Sequence, residues 1–184
     1  MVIPGVEPGL QFHQMTCALV SYSSALENDL SGAVYARLAE LNIEIPPPAP
    51  PIANFVSHKI EGNMLYLSGQ GPREADGTLH TGKVGGGVTT EEAYQHARLT
   101  GLNLLAVMQD ALGDLGRVKQ VVKLLGMVNA VPDFADHPNV INGCSDLLIE
   151  IFGENGRHAR SAVGFGSLPN NITVEIEAIV ALKE

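Results

Sequence analysis

The sequence is poor in the residues that form disulfides and aromatic contacts. Only two of its 184 residues are cysteines, 5% are aromatic, and tryptophan is absent. Cys17 and Cys144 do not make a disulfide framework, so we expect a reducing, cytoplasmic setting. No apolar run approaches the roughly 18 residues of a transmembrane helix, and no basic segment precedes the first apolar stretch. Neither a membrane span nor a secretory signal is therefore predicted.

Positive charge is also scarce. Eleven Lys and Arg residues stand against twenty Asp and Glu residues, which gives a formal net charge of −9. Such a field repels nucleic-acid phosphates unless a local basic patch overrides it. The densest basic cluster, at Arg157, His158 and Arg160, is not such a patch, although a small anionic metabolite could bind there. The six histidines show no ligand spacing with cysteines or acids, so no metal site is expected.

What the sequence does contain is the patterning of one mixed α and β domain, with 45% apolar residues. Apolar spacing predicts a helix over 34–41. A second helix begins at the capping box of Thr89 and Glu92 and ends at Gly113, and a third runs from about Pro138 to Gly153 with Asp136 as its cap. Strands are predicted over 55–60, 64–68, 118–131 and 172–180, with another beginning at Arg160 and a further short one near 78–80. The order is β-β-(β)-α-β-α-β-β.

Two long helices can cover only one face of the sheet that these strands form. The strands at 121–128 and 172–180 offer apolar side chains to the other face as well. That second face needs a cover, and the simplest cover is another copy of the chain.

The most informative stretch is residues 160–180. Pro169, Asn170 and Asn171 are typical of a tight turn, and the alternation from Ile172 onward is typical of a strand. We therefore expect strand, turn and strand, with the turn folding the two strands back on each other. In that arrangement the guanidinium of Arg160 and the carboxylate of Glu175 approach one pocket.

This stretch also carries a family resemblance. Arg160-Ser161-Ala162-Val163, the Leu168-Pro169 turn and the segment 174–180 resemble the C-terminal signature of the RidA family, also called YjgF/YER057c/UK114 or L-PSP. Ser68-Gly69-Gln70 is similar to the Ser-Gly-Gln motif of that family. The resemblance covers 34–184, which we take as the RidA-like domain, and leaves 1–33 as an N-terminal extension. That extension is either loosely docked or disordered, or a short helix that packs on the domain or on a neighbour.

The resemblance implies a fold, an assembly and a set of site residues. The fold is α+β, chorismate-mutase-like of the bacillus type, with two long helices on one face of a mixed sheet. The assembly is a homotrimer around a barrel-like core, with sites in the clefts between subunits. The catalytic residues are then Arg160, which anchors a carboxylate through its donor fork, and Glu175, which holds or deprotonates a water. We expect Glu175 to stay ionised beside the arginine. The substrate-binding residues are Ser68, Gly69, Phe55 and Asn142.

Each of these residues also has an ordinary structural explanation. Arg160 could form a surface ion pair, Glu175 could be an exposed strand carboxylate, and Ser68 could end a strand. Asn142 could simply be solvated or cap its helix. Two departures from the family pattern bear on chemistry: Phe55 stands where many members have a tyrosine, and Ala162 where some have a cysteine. Neither replacement can supply the lost O–H or S–H group.

The activity that the resemblance implies is hydrolysis of a reactive 2-imino acid to a 2-keto acid and ammonia. No cofactor is needed, because the imine is already reactive. The alternative is a non-catalytic module that binds a small carboxylate in the same cleft, which the two departures favour. The endoribonuclease activity associated with the family is disfavoured by the acidic charge and by the lack of a basic or aromatic platform. We expect no nucleic-acid or membrane partner.

Overall fold

The structure, a computed structural model, describes residues 32–51 and 53–184. Residues 1–31, nearly all of the predicted N-terminal extension, lie outside the described residues. The helices are α1 over 32–40, α2 over Thr90–Leu112 and α3 over His137–Phe152. The strands are β1 His58–Glu61, β2 Met64–Gln70, β3 Val118–Asn129, β4 Ala159–Phe165 and β5 Val174–Leu182. The predicted order of the main elements is confirmed, while the short strand near 78–80 is reduced to isolated bridges.

The five strands form one mixed sheet in the order β1-β2-β5-β3-β4. Neighbours are antiparallel except β3 and β4, which are parallel. The predicted hairpin of β4 and β5 is therefore wrong, because β3 lies between the two strands and pairs with both. Asn170 and Asn171, both with positive φ, do form a tight turn, but the segment around it pairs with 80–82 and carries the chain past β3.

The helices cover one face of the sheet, as predicted. Alternate residues of β5, from Val174 to Val180, are fully or almost fully buried against them, together with Leu65 of β2 and Leu124 of β3. The short helix α1 packs outside this layer, where the Tyr35 hydroxyl donates to Gln109 Oε1 at 2.6 Å. Among the described residues, no helix combines the length and the apolar character that crossing a membrane requires.

Helices α2 and α3 approach each other closely because glycines lie at their crossing. A β-carbon on Gly101 would lie 2.9 Å from Leu147 Cδ2 and 3.2 Å from Cys144 Sγ. A β-carbon on Gly143 would overlap the backbone carbonyl of Tyr94. Cys144 belongs to this core, and burial raises the pKa of its thiol to about 12, which keeps it protonated and unreactive.

The ends of the two long helices differ in how they are capped. Thr89 and Glu92 form the predicted capping box on α2, which ends at Gly113 with a φ of 71°. Asp136 occupies the cap position of α3 but makes no side-chain hydrogen bond to its backbone. Its carboxylate instead accepts from the Asn139 side-chain amide at 2.6 Å, so the predicted cap position is confirmed but the side-chain hydrogen bond is not made.

The second face of the sheet is left open within one chain. Directly paired residues share a face, so Met127 lies beside both Val163 and Glu175. Val163 and Phe165 of β4 and Tyr66 of β2 are 39–43% exposed. Leu125 and Met127, which the sequence predicts to be covered on this face, are only half-buried.

Candidate functional site

Arg160 lies on β4, one of the two edge strands of the described sheet, and points toward α3. Its Nη1 donates to Asn142 Oδ1 and to Ser145 Oγ, each at 2.9 Å, and its Nη2 donates to the Pro138 carbonyl at 3.4 Å. All three acceptors are neutral, and no carboxylate of the described chain lies within ion-pair distance. The half-buried guanidinium is therefore held in place with its charge uncompensated, which makes it a ready binding group for an anion.

A further residue supports this arrangement from behind. The Ser145 hydroxyl lies 3.0 Å from His158 Nε2, and His158 Nδ1 lies 2.6 Å from the Gly156 carbonyl. Since a carbonyl can only accept, Nδ1 carries the proton, Nε2 accepts from Ser145, and Ser145 Oγ is free to accept from Arg160. Burial is the main cause that lowers the pKa of His158; the Gly156 hydrogen bond raises it, and the Arg160 charge lowers it further, so the shift favours the neutral ring.

Ser145 was not identified as a site residue from the sequence, and His158 was named only as a member of the basic cluster with Arg157 and Arg160. Ser145 is three residues beyond Asn142, on the same side of α3, and that helical spacing is a signal that could have found it. His158 is two residues before Arg160, a spacing that places both side chains on the same face of an extended chain. Neither spacing identifies a site residue unless the fold is already known.

Glu175 lies at the opposite face of the sheet. Its side chain packs against the backbone of Gly69, where a β-carbon would overlap the carboxylate oxygen Oε1. Burial, and then the neighbouring Glu177 carboxylate, raise the pKa of Glu175 above its ordinary value. The expectation that an adjacent arginine keeps this group ionised is not met within one chain.

A cavity of about 570 Å³ opens beside this carboxylate. We call it the Glu175 cavity. Its walls are mainly apolar, and its polar groups are few, as in most small-molecule sites. It is lined by Pro51, Phe55, Gly69, Arg73, Leu79 and Glu175, among others. The structure thus brings three of the predicted residues, Phe55, Gly69 and Glu175, together, and adds Arg73, which the sequence did not single out.

Arg160 and Glu175 do not meet within one chain. Arg160 pairs in register with Leu124, which is fully buried on the helix face. Glu175 pairs with Met127 on the open face, and its chain neighbours Val174 and Ile176 are buried on the helix side. The prediction that the last two strands direct both groups into one pocket is wrong for a single chain, because strand alternation places them on opposite faces.

The two remaining predicted residues have local partners. Asn142 receives the hydrogen bond from Arg160 and so positions the arginine. Ser68 donates its hydroxyl to the Val56 carbonyl at 2.7 Å. It lines a smaller depression of about 280 Å³ with Tyr66 and Glu177, outside the Glu175 cavity.

The chain is similar to known proteins over most of its length. The family model described as "YjgF/chorismate mutase-like, putative endoribonuclease" matches residues 35–180. Protein TCP17 of Trypanosoma cruzi is 46% identical over 153 residues, which cover 83% of this chain and 96% of that protein. The protein Atu1372, of unknown function, from Agrobacterium tumefaciens has a crystal structure with a TM-score of 0.78 and 43% identity, covering 86% of this chain and 99% of that one. RidA from the Antarctic bacterium Psychrobacter sp. PAMC 21119 gives a TM-score of 0.52 and 25% identity, covering 76% and 96%.

Proposed function

Because the chain belongs to the RidA/YjgF (L-PSP) family with its chorismate-mutase-like fold, we propose that it hydrolyses reactive 2-imino acids to 2-keto acids and ammonia. The observation that carries the proposal is the state of Arg160. Its guanidinium is fixed by three neutral acceptors and has no carboxylate partner among the described residues. A 2-imino acid supplies the missing carboxylate.

The site is proposed to be shared between subunits. Arg160 and Glu175 lie on opposite faces of the sheet, so both can contact one small substrate only if they come from two copies of the chain. The open face, with Val163, Phe165 and Tyr66 exposed, is an apolar surface of the kind that subunit contacts bury. We therefore propose a homotrimer that buries these faces around a common centre and brings each Arg160 near the Glu175 cavity of its neighbour.

The reaction needs only water and the bound imine. The α-carboxylate binds Arg160, which fixes C2 near the Glu175 of the partner subunit. Glu175 accepts a proton from water as the oxygen attacks C2, and the C=N electron pair moves to nitrogen, which takes that proton from Glu175. In the resulting carbinolamine the hydroxyl proton passes through Glu175 to nitrogen, and the C–N bond breaks to release ammonia as the C–O bond becomes a carbonyl. Glu175 ends unprotonated, so water and the imine are the only reactants consumed.

Electrostatics around Glu175 suit this role. Its pKa is raised chiefly by burial and then by Glu177, which makes the carboxylate a stronger base than an exposed glutamate. A general base works best when its pKa lies near the operating pH. The apolar walls of the cavity, including Phe55 and Pro51, restrict the number of waters that compete with the attacking one.

A second candidate function is binding of a small carboxylate without turnover. Phe55 has no hydroxyl to offer, and the Ser68 hydroxyl is already engaged by the Val56 carbonyl. The site therefore lacks these two hydroxyl groups as donors for stabilising a developing charge. Endoribonuclease activity, which appears in the description of the family model, has no comparable support, since the chain carries a net charge of −9.

The deciding experiment measures formation of keto acid and ammonia from 2-iminobutanoate or 2-iminopropanoate made in situ. We expect acceleration over buffer that is lost in Arg160→Ala and Glu175→Gln. Arg157→Ala is the matched control, because Arg157 is a nearby exposed arginine whose Nε pairs with Glu154 at 3.0 Å. Binding of 2-ketobutyrate without any acceleration would instead establish the carboxylate-binding function.

A further inference from the structure

The Glu175 cavity contains a second charged group, the guanidinium of Arg73. Arg73 is half-buried, and its side chain makes no hydrogen bond and no ion pair with the described residues. Asp76 on the same loop accepts from the Thr78 backbone N–H at 2.9 Å and forms no ion pair with Arg73. The Arg73 charge is the last of the causes that lower the pKa of Asp76, after the hydrogen bonds from Thr78. Among the described residues, the cavity therefore has a cation and a carboxylate that make no ion pair.

The backbone that carries Arg73 is firmly held. Asn103 Nδ2 on α2 donates to the carbonyls of Gly71 and Arg73, each at 3.0 Å. Arg73 also forms a bridge to Leu79, and the intervening turn is closed by Glu74 N donating to the Thr78 carbonyl at 2.9 Å. A fixed backbone of this kind reduces the entropy lost when a side chain binds a ligand.

Arg73 and Glu175 line the same cavity without forming an ion pair with each other. The surfaces around them are apolar, with Pro51, Phe55 and Leu79 in the walls. A cavity of about 570 Å³ lies within the usual range of small-molecule sites and has room for a ligand longer than a four-carbon imino acid. The space, the apolar walls and the second cation remain unexplained by the smallest substrates.

We propose that Arg73 binds a second anionic group of the ligand, so that this chain prefers dicarboxylic 2-imino acids and their 2-oxo acid products. The α-carboxylate binds Arg160 of the partner subunit, the apolar middle of the ligand lies against Phe55 and Leu79, and the distal carboxylate receives the guanidinium fork of Arg73. This inference rests on the proposed function for the placement of the α-carboxylate and of C2. The role of Arg73 as an anion-binding residue of the cavity depends only on the geometry of one chain.

The test compares two stable 2-oxo acids by calorimetry, the monocarboxylic 2-oxobutanoate and the dicarboxylic 2-oxoadipate. We expect the wild-type chain to bind 2-oxoadipate more tightly. Arg73→Gln should weaken 2-oxoadipate by about 10-fold or more, the loss expected for a charge-assisted hydrogen bond, and leave 2-oxobutanoate within about 2-fold. Arg157→Gln removes the same charge from an exposed position and should change neither affinity, with the melting temperature of each variant confirming that it is folded.

Equal affinity of the wild type for the two acids, no binding of either, or an equal loss of both in Arg73→Gln would overturn the proposal. The outcome is separable from that of the deaminase assay. If no imino acid is turned over but Arg73→Gln selectively loses the dicarboxylate, the catalytic proposal fails and the Arg73 site stands. If turnover depends on Arg160 and Glu175 but Arg73→Gln does not weaken the dicarboxylate selectively, the catalytic proposal stands and the Arg73 site fails.

Discussion

The carboxylate of Glu175 lies directly on the backbone of Gly69, close enough that a β-carbon on the glycine would overlap Oε1. The glycine of the Ser68-Gly69-Gln70 segment is therefore important because it has no side chain. The absent side chain is what allows Glu175 to occupy its observed position at the edge of the cavity.

Substituting Gly69 with Ala should therefore impair turnover while leaving the fold intact. The overlapping atom is the end of a flexible side chain, so Glu175 can move aside at little cost to stability, but it then leaves the position from which we propose that it activates water. We expect a drop in the rate of imine hydrolysis approaching that of Glu175→Gln, with a melting temperature near that of the wild type. Gly166→Ala, where the β-carbon meets nothing within 4 Å, is the control. Unchanged activity in Gly69→Ala would show that the position of Glu175 does not matter.

Removing the charge of Glu177 should shift the pH dependence of the reaction. Glu177 is the second cause, after burial, that raises the pKa of Glu175. In Glu177→Gln the pKa of Glu175 falls, so Glu175 stays ionised to lower pH and the acidic limb of the rate profile moves to lower pH. The measurement is a pH–rate profile of both proteins from pH 4 to 8. An acidic limb at the same pH in both would mean that another group governs it.

Much of the secondary structure could be predicted because it depends on local sequence patterns. The capping box at Thr89 and Glu92 and the apolar spacing of α3 specify helices without reference to the rest of the chain. The order of strands in the sheet is a different matter. Alternation in β4 and β5 identifies two strands but not their neighbours, and the insertion of β3 between them depends on contacts distant in sequence.

The same limit applies to the site. Arg160 and Glu175 were singled out by resemblance, and the structure gives Arg160 a polar cradle and Glu175 a cavity. Their placement on opposite faces could not be foreseen while the two strands were taken as a hairpin. The sequence did not single out Arg73 for a related reason. Its loop is placed beside the cavity by a bridge to Leu79 and by a hydrogen bond from the Asn103 side chain, and neither contact can be read from local sequence.

The crossing of α2 and α3 depends on Gly143. A β-carbon there would overlap the Tyr94 carbonyl, and because a helix backbone cannot yield as a side chain can, the two helices must move apart. Gly143→Ala should cost about 1–3 kcal/mol of the free energy of unfolding, the usual range for an overpacked core. Urea denaturation measures the cost, with Gly166→Ala as a control that should change little. Equal stability of the two variants would show that the helices are not fixed at this distance.

His158 should make the stability of the protein depend on pH. Burial is the main cause that lowers its pKa below 6.5, so as the pH falls past 6.5 the unfolded chain takes up a proton that the folded chain does not. Stability is therefore fully present above pH 6.5 and is lost as the pH falls toward the lower pKa of the folded state. His158→Gln should flatten this slope in denaturation curves from pH 7.5 to 5.5, whereas Ser145→Ala, which leaves the ring buried, should retain it. A slope that is unaffected by His158→Gln would assign it to other groups, such as His96, whose pKa burial also lowers.

Mixing two inactive variants tests whether the site is shared between subunits. Arg160→Ala chains retain Glu175, and Glu175→Gln chains retain Arg160. A cleft is therefore intact when a Glu175→Gln chain supplies its arginine and an Arg160→Ala chain supplies its glutamate. If subunits assort at random after joint refolding, about a quarter of the clefts are of this kind, and activity should return to about that fraction of the wild-type value. Each variant refolded alone should remain inactive, as should the mixture before refolding. A site built within one chain could not regain activity in this way, because every chain in the mixture lacks one of the two groups. A mixture that stays inactive after verified subunit exchange would contradict the shared cleft.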